Sequence, residues 1–245
     1  MHKTILITGA TDGIGRLTAQ KLANDGHKVL LHGRSKARLE EVAEQIGGAQ
    51  TFLADFSDLD EVAAMATLIL TKHDKLDVLI NNAGVEAGAK TYTMIDDEDW
   101  DYVFDTNLKA AWRLSKFYTQ WVAKQGGTGS IVNIASITAY RTIKGQFPYA
   151  VSKAALVKAT EIMALEGARY GVRVNALAPG YILTDVSRVL LESERSSEFV
   201  KGIPMRRYGE FSDLDGPLLL LASDASTYMT GSVVVVDGGH ICAEL

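Results

Sequence analysis

Seven short runs of apolar and β-branched residues recur along the chain, at Thr4–Thr8, Lys28–Leu31, Gln50–Ala54, Val78–Asn81, Ser130–Ala135, Val172–Ala178 and Val233–Val236. Such near-continuous runs predict strands buried on both faces, and therefore parallel ones. Between them lie longer stretches with helical periodicity, at Gly15–Asp25, Lys36–Ile46, Asp58–His73, Asp97–Lys124 and Tyr149–Tyr170. Strand and helix alternate throughout. The pattern predicts an α/β fold, a doubly wound seven-stranded parallel sheet of Rossmann type with helices on both faces. No repeat, low-complexity tract or linker-like shift divides the chain, so residues 1–245 are expected to form a single domain. The segment 180–209 is rich in Ser, Glu and Arg with weak periodicity; it is expected to be a mobile cap over the active site.

Charge and cysteine content narrow the classes. The net charge is −5 with no Lys/Arg cluster, which argues against a nucleic-acid partner. The one cysteine, Cys242, excludes an intrachain disulfide, and no Cys/His cluster has metal-ligand spacing, so no metal is expected. Met1 leads directly into a strand-like run without the basic and long apolar regions of a signal peptide, which predicts a cytoplasmic protein. The longest apolar run, 217–222, is far short of the ~20 residues that span a bilayer, so no membrane association is expected.

The first strand runs into Thr8-Gly-Ala-Thr-Asp-Gly-Ile-Gly15, and a helical pattern follows at once. Backbone amides at a helix N-terminus can face a pyrophosphate there, with glycines permitting close approach. The glycine spacing departs from the common G-x-G-x-x-G, but strand before and helix after is the context that gives such a loop its meaning. Where the second strand ends, at His32-Gly-Arg-Ser35, an NAD-binding fold would place an acid for the ribose 2′-hydroxyl. Arg34 stands there instead and suits a 2′-phosphate, unless it is merely a solvated loop residue. Asp12 points the other way, since a carboxylate repels phosphate; its other role is to cap the following helix. Asp55, after the third strand, either accepts from the adenine amino group or caps the helix beginning near Asp58.

The stretch Pro148-Tyr-Ala-Val-Ser-Lys153 suggests a reaction centre. Residues i and i+4 share a helix face, so a helix starting near Pro148 sets the ammonium of Lys153 beside the phenol of Tyr149. A phenol titrates at about 10 in water, and a neighbouring cation lowers that value, making Tyr149 a usable proton donor and acceptor. The bland alternative is a helix-face aromatic and a solvated charge. Ser136, at the end of the fifth strand, is either a substrate ligand or a backbone cap. Asn107 sits mid-helix, where Asn is a poor residue, and is either functional or buried to satisfy its neighbours.

These pieces together resemble the short-chain dehydrogenase/reductase family over almost the whole chain. Thr8-Gly9, Gly13-Ile14-Gly15, Asn81-Asn82-Ala83-Gly84, the set Asn107, Ser136, Tyr149 and Lys153, then Pro179-Gly180 with Ile182 and Thr184, and Thr230-Gly231 with Val236-Asp-Gly-Gly239, match its motifs in order. The members most alike are 3-oxoacyl-carrier-protein reductases and related carbonyl reductases. The resemblance implies NADP(H), or NAD(H), held by Gly9, Thr11, Asp12, Gly13, Ile14, Gly15, Arg34, Asp55, Phe56, Asn82, Ala83, Gly84, Tyr149, Lys153, Pro179, Gly180, Ile182 and Thr184. It implies that Tyr149 exchanges a proton with the substrate oxygen, and that Lys153 lowers its pKa and bonds the ribose. Ser136 would hold the substrate oxygen and Asn107 would anchor a proton-relaying water. Many NADP-using members carry Arg or Lys where this chain has Asp12, which leaves cofactor choice resting on Arg34. The resemblance also implies a homotetramer acting on a small carbonyl or alcohol, with 85–90, 137–147 and 181–208 lining the pocket. The charges there, Arg141, Lys144, Arg188, Arg206 and Arg207, would meet an anionic substrate or an acidic carrier protein, or are simply solvated. An NAD-dependent sugar or polyol dehydrogenase and a catalytically silent dinucleotide-binding protein are the competing readings.

Overall fold

The computed structural model describes residues 2–184 and 200–243. Its seven strands are β1 (Thr4–Ile7), β2 (Lys28–Gly33), β3 (Gln50–Leu53), β4 (Val78–Asn81), β5 (Gly129–Ile134), β6 (Val172–Pro179) and β7 (Val233–Val236). They form one parallel sheet in the order β3-β2-β1-β4-β5-β6-β7. Each lies within two residues of its expected run, because an apolar segment of this length has nowhere to go but between two helical layers. The edges depart from the expectation. β7 is only half-buried along its length and β3 is largely exposed, since each has a neighbour on one side only.

Successive side chains of a strand point to opposite faces, and the core divides accordingly. Ile5 and Ile7 of β1 pack with α1 (Gly13–Asn24) and α2 (Lys36–Gln45) through Leu22, Leu39 and Val42. Leu6, between them, packs on the other side with Val62, Met65 and Ile69 of α3 (Leu59–Lys72). Asp58 caps α3 by accepting from the amides of Asp60 and Glu61, which puts one orphan end of the helix to rest.

The single helix expected over Asp97–Lys124 is interrupted. It runs as α4 (Asp97–Phe104), a wide π turn (Asp105–Lys109) and α5 (Ala110–Gln125). The extra residue per turn rotates Asn107 inward, and such insertions recur at functional sites. The helix α6 (Phe147–Gly167) starts two residues before Tyr149, with Pro148 in its first turn where a missing N–H costs nothing. A further helix, α7 (Ser212–Ala222), packs Leu214, Leu218 and Leu221 on the face shared by α1. The sequence reading assigns no element there. Of the expected cap, residues 185–199, with Arg188, lie outside the described residues. Its two ends meet: the Gly209 amide donates to the Tyr181 carbonyl (2.9 Å) and the Leu183 amide to the Gly209 carbonyl (2.8 Å).

Candidate active site

The carboxyl ends of β1 and β4 are joined side by side through Thr8 and Asn82. The Thr8 hydroxyl accepts from the amides of Asn82 and Ala83, both at 3.0 Å. The Asn82 side chain donates back to the carbonyls of Thr8 (2.9 Å) and Gly9 (3.1 Å). Gly9 has φ +64°, and a Cβ on it would lie 2.8 Å from the Ala83 Cα, so only glycine allows the two loops to touch. Asp12 caps α1 by accepting from the Gly13 amide (2.8 Å) and pairs with Arg38 at 3.5 Å. The carboxylate that counted against a phosphate thus has its own counter-ion.

A cleft of about 510 Å³ opens above this junction. Its walls include Gly9, Thr11, Asp12, Gly13, Ile14, Arg34, Asp55, Phe56, Asn82, Ala83, Gly84, Ser136, Tyr149, Lys153, Pro179, Gly180, Ile182 and Thr184, all named from the sequence. Two expected residues stand outside it. Gly15 is packed beneath the loop, where a Cβ would lie 2.2 Å from the Gly9 carbonyl oxygen, so its role is close packing and not ligand contact. Asn107 is 1% exposed and lies behind the wall. Its Oδ1 accepts from the Val85 amide (2.8 Å), and its Nδ2 donates to the Val85 carbonyl (3.0 Å) and the Ser152 hydroxyl (3.1 Å).

The cleft fits a dinucleotide. Gly13 opens α1 with nothing within 4 Å of the Cβ it lacks, leaving room for a phosphate at a helix N-terminus. Two guanidinium groups, Arg34 and Arg38, lie on the wall where β2 ends. At the other end, the Cβ that Gly84 lacks would lie 3.3 Å from Lys153 Nζ, so the bare backbone keeps the lysine within reach of the cleft.

The residues expected to react meet at that end. Lys153 is 3% exposed and donates to the Ile134 carbonyl at 2.8 Å. Burial pushes its ammonium down to about 8, with the Glu86 carboxylate pulling it back up. Tyr149 rises to about 12: burial dominates, Glu86 adds to it, and the hydrogen-bonding Ser136 hydroxyl opposes it. The sequence expectation of a lowered phenol is therefore not met in this structure. Lys153 Nζ is 5.6 Å from the centre of the tyrosine ring and is turned to the Ile134 carbonyl. Ser136 takes the capping role, for its hydroxyl accepts from the Thr138 amide (3.1 Å), and it also lines the cleft. Asp55 accepts from the amide (2.9 Å) and hydroxyl (2.8 Å) of Ser57, which lower its pKa, while the helix cap falls to Asp58.

A family model described as Enoyl-(Acyl carrier protein) reductase matches residues 9–240, and 3-oxoacyl-[acyl-carrier-protein] reductase FabG of Thermotoga maritima is 35% identical over 98% of both chains. The chain belongs to the short-chain dehydrogenase/reductase family. Dehydrogenase/reductase SDR family member 4 of Bos taurus is 36% identical, with 98% of this chain and 88% of that one covered. A solved structure from Beutenbergia cavernae, provisionally named an NAD(P) dependent gluconate 5-dehydrogenase and holding NADP, superposes with a TM-score of 0.90. It is 38% identical, over 98% of this chain and 97% of that one.

As a short-chain dehydrogenase/reductase, the chain is an NAD(P)-dependent oxidoreductase. Arg38, Glu86 and Thr106 also line its cleft and are not singled out by the sequence reading. Arg38 carried a signal, since it is a second guanidinium in the first turn of the helix that follows Arg34 directly. Among the described residues, no three His, Cys, Asp or Glu side chains converge as a metal site, and no helix is long and apolar enough to cross a membrane.

Proposed function

We propose that this enzyme is an NADP(H)-preferring carbonyl reductase, reversible as an alcohol dehydrogenase, with Tyr149 as its acid–base residue. The observation that carries the reading is the meeting of Ser136, Tyr149 and Lys153 at one end of a cleft whose other end is built from the Gly9–Gly13 loop. Bound nicotinamide supplies the hydride; the chain supplies orientation and the proton. Tyr149 gives its phenolic proton to the carbonyl oxygen, and Ser136 shares that oxygen. Lys153 holds the nicotinamide ribose and keeps a positive charge beside the phenol. Asn107 is a positioning residue that clamps Val85 and, through Ser152, the first turns of α6. Arg34 and Arg38 favour the 2′-phosphate over the hydroxyl, and the Asp12–Arg38 pair removes the repulsion that Asp12 alone would exert.

Tyr149→Phe tests the reading. Turnover should fall by about 10²–10⁴-fold while cofactor affinity stays within a few-fold, because the hydroxyl acts as an acid and not as an anchor. Retention of more than about a tenth of the rate contradicts the assignment.

We further infer a homotetramer. Trp112 on α5 and Ile162 and Leu165 on α6 are exposed, Leu165 by 81%, and β7 offers a second half-covered apolar surface. Closed symmetric assembly is the common way to cover such faces. A cytoplasmic location accords with the exposed free thiol of Cys242.

A further inference from the structure

The sequence between Gly84 and Lys90 is the first wall a substrate meets after β4, and Glu86 is its one acid. The backbone there is held. Asn107 grips both the amide and the carbonyl of Val85, at 2.8 and 3.0 Å, and the π turn that rotates Asn107 inward makes this grip possible. Glu86 follows directly, and its side chain lines the cleft together with Tyr149 and Lys153.

The charges on the cleft wall fall into two groups. Arg34, Arg38, Asp12 and Asp55 follow or adjoin β1, β2 and β3 at one end of the sheet order. Glu86 and Lys153 lie at its middle, after β4 and beside Ser136 at the end of β5. Lys153 is buried and bonded to Ile134, whereas Glu86 is exposed, so Glu86 is the charge of the pair that an arriving substrate meets first, with Lys153 offsetting it from behind. Three cations of the surrounding described loops have partners of their own. Arg141 donates to the His240 carbonyl (2.8 Å), Lys90 pairs with Asp99, and Arg207 pairs with Asp213 (2.6 Å).

We propose that Glu86 is a specificity-determining residue, a charge filter that admits neutral carbonyl compounds and turns away carboxylates. Like charges brought together in a partly desolvated cleft repel far more than they do in open water. That Glu86 faces the reacting groups is borne out on both neighbours, since its charge raises the phenol of Tyr149 and the ammonium of Lys153. Although the residue as a whole is exposed, its carboxyl is desolvated enough to be raised, with Lys153 pulling it back. The inference rests on Tyr149 being the acid–base centre and goes beyond it to the class of substrate.

The experiment compares methyl acetoacetate with the acetoacetate anion, which share a ketone and differ in charge, using NADPH and the wild type, Glu86→Gln and Glu86→Lys. Two readouts are taken: kcat/KM for each compound, and its Kd for the protein–NADPH complex from cofactor fluorescence. The wild type should prefer the neutral ester, the preference should fall about tenfold in Glu86→Gln, and it should fall further in Glu86→Lys. Turnover with a preference unchanged within about twofold in both variants overturns the filter alone and leaves the Tyr149 reading intact. If the wild type neither binds NADPH nor takes up either compound, the filter and the reading beneath it both fall.

Discussion

His32 should make this protein acid-sensitive in a window that can be calculated from its surroundings. The residue ends β2 under the cofactor loop, 3% exposed, with its ring stacked on Phe56 at 3.9 Å and 11°. Nε2 faces the Ala54 carbonyl at 3.1 Å and so carries the proton; Nδ1 faces the Gly9 amide at 3.3 Å and so must be bare. The fold is thus built around one neutral tautomer, and burial pushes the pKa down to about 4. The unfolded chain takes up the proton near pH 6.5, so the stability from neutral His32 is complete above that value and is lost as pH falls toward 4. Linkage between those two values costs about 2 kcal/mol at pH 5 and about 3 kcal/mol at pH 4. Urea unfolding of the wild type and of His32→Gln, which offers similar hydrogen bonds but cannot charge, should be measured at pH 7.5 and 5.0. Carboxylates titrate alike in both proteins and cancel in the comparison. The wild type should lose about 2 kcal/mol more than the variant over that interval. Equal losses would refute the reasoning, because they would mean that His32 is protonated in the folded protein without penalty.

The site makes three further predictions. Lys153→Met should weaken cofactor binding and turnover together, and the pH at which alcohol oxidation switches on should rise, because the cation that offsets Glu86 is gone; an unmoved profile excludes Lys153 as the balancing charge. Arg34→Asp should reverse a preference for NADP(H) over NAD(H), since a charge-assisted bond to phosphate is worth about ten- to a hundred-fold in affinity; kcat/KM for both cofactors in both proteins decides it. Arg34 already donates to the Tyr102 hydroxyl at 2.5 Å, which keeps it near the end of β2. Leu165→Glu should break a tetramer seen by light scattering without loss of helix content, and a monomeric wild type at micromolar concentration would remove the inferred assembly.

The legible part of this fold was the part governed by burial. Parallel strands between two helical layers are apolar on both faces, so all seven appear in the sequence as unbroken runs. The cleft was legible for a related reason, since its glycines and its Ser136, Tyr149 and Lys153 sit at strand ends or helix starts whose positions the runs fix. Helix α7 was hidden by Gly216 and Pro217, which discourage a helix locally yet lie inside one because Leu214, Leu218 and Leu221 have a core to enter. The π turn was only half legible, for Asn107 stood out as a poor mid-helix residue but the widened turn itself comes with the tertiary hold of Asn107 on Val85. Glu86 fell within the expected pocket segment 85–90 but was not singled out, because what sets it apart there is what lies across the cleft.

The titration of the reacting pair carries the last step. Spacing alone implied that Lys153 would draw the phenol of Tyr149 down, but that argument considers one neighbour and no solvent. Burial disfavours the charged form of each group, so it raises the tyrosine, to about 12, and lowers the lysine, to about 8. Glu86 then moves both upward, which opposes ionisation of Tyr149 but preserves the charge of Lys153. At pH 7 the result is a phenol that keeps its proton beside a lysine that keeps its charge. A proton donor must hold its proton until the substrate oxygen becomes basic, and under the proposed mechanism Tyr149 would do so here, with Lys153 to balance the phenolate left behind. On that proposal the resting site favours carbonyl reduction. Oxidation of an alcohol asks Tyr149 to begin as the base and must first overcome both the burial and the Glu86 charge.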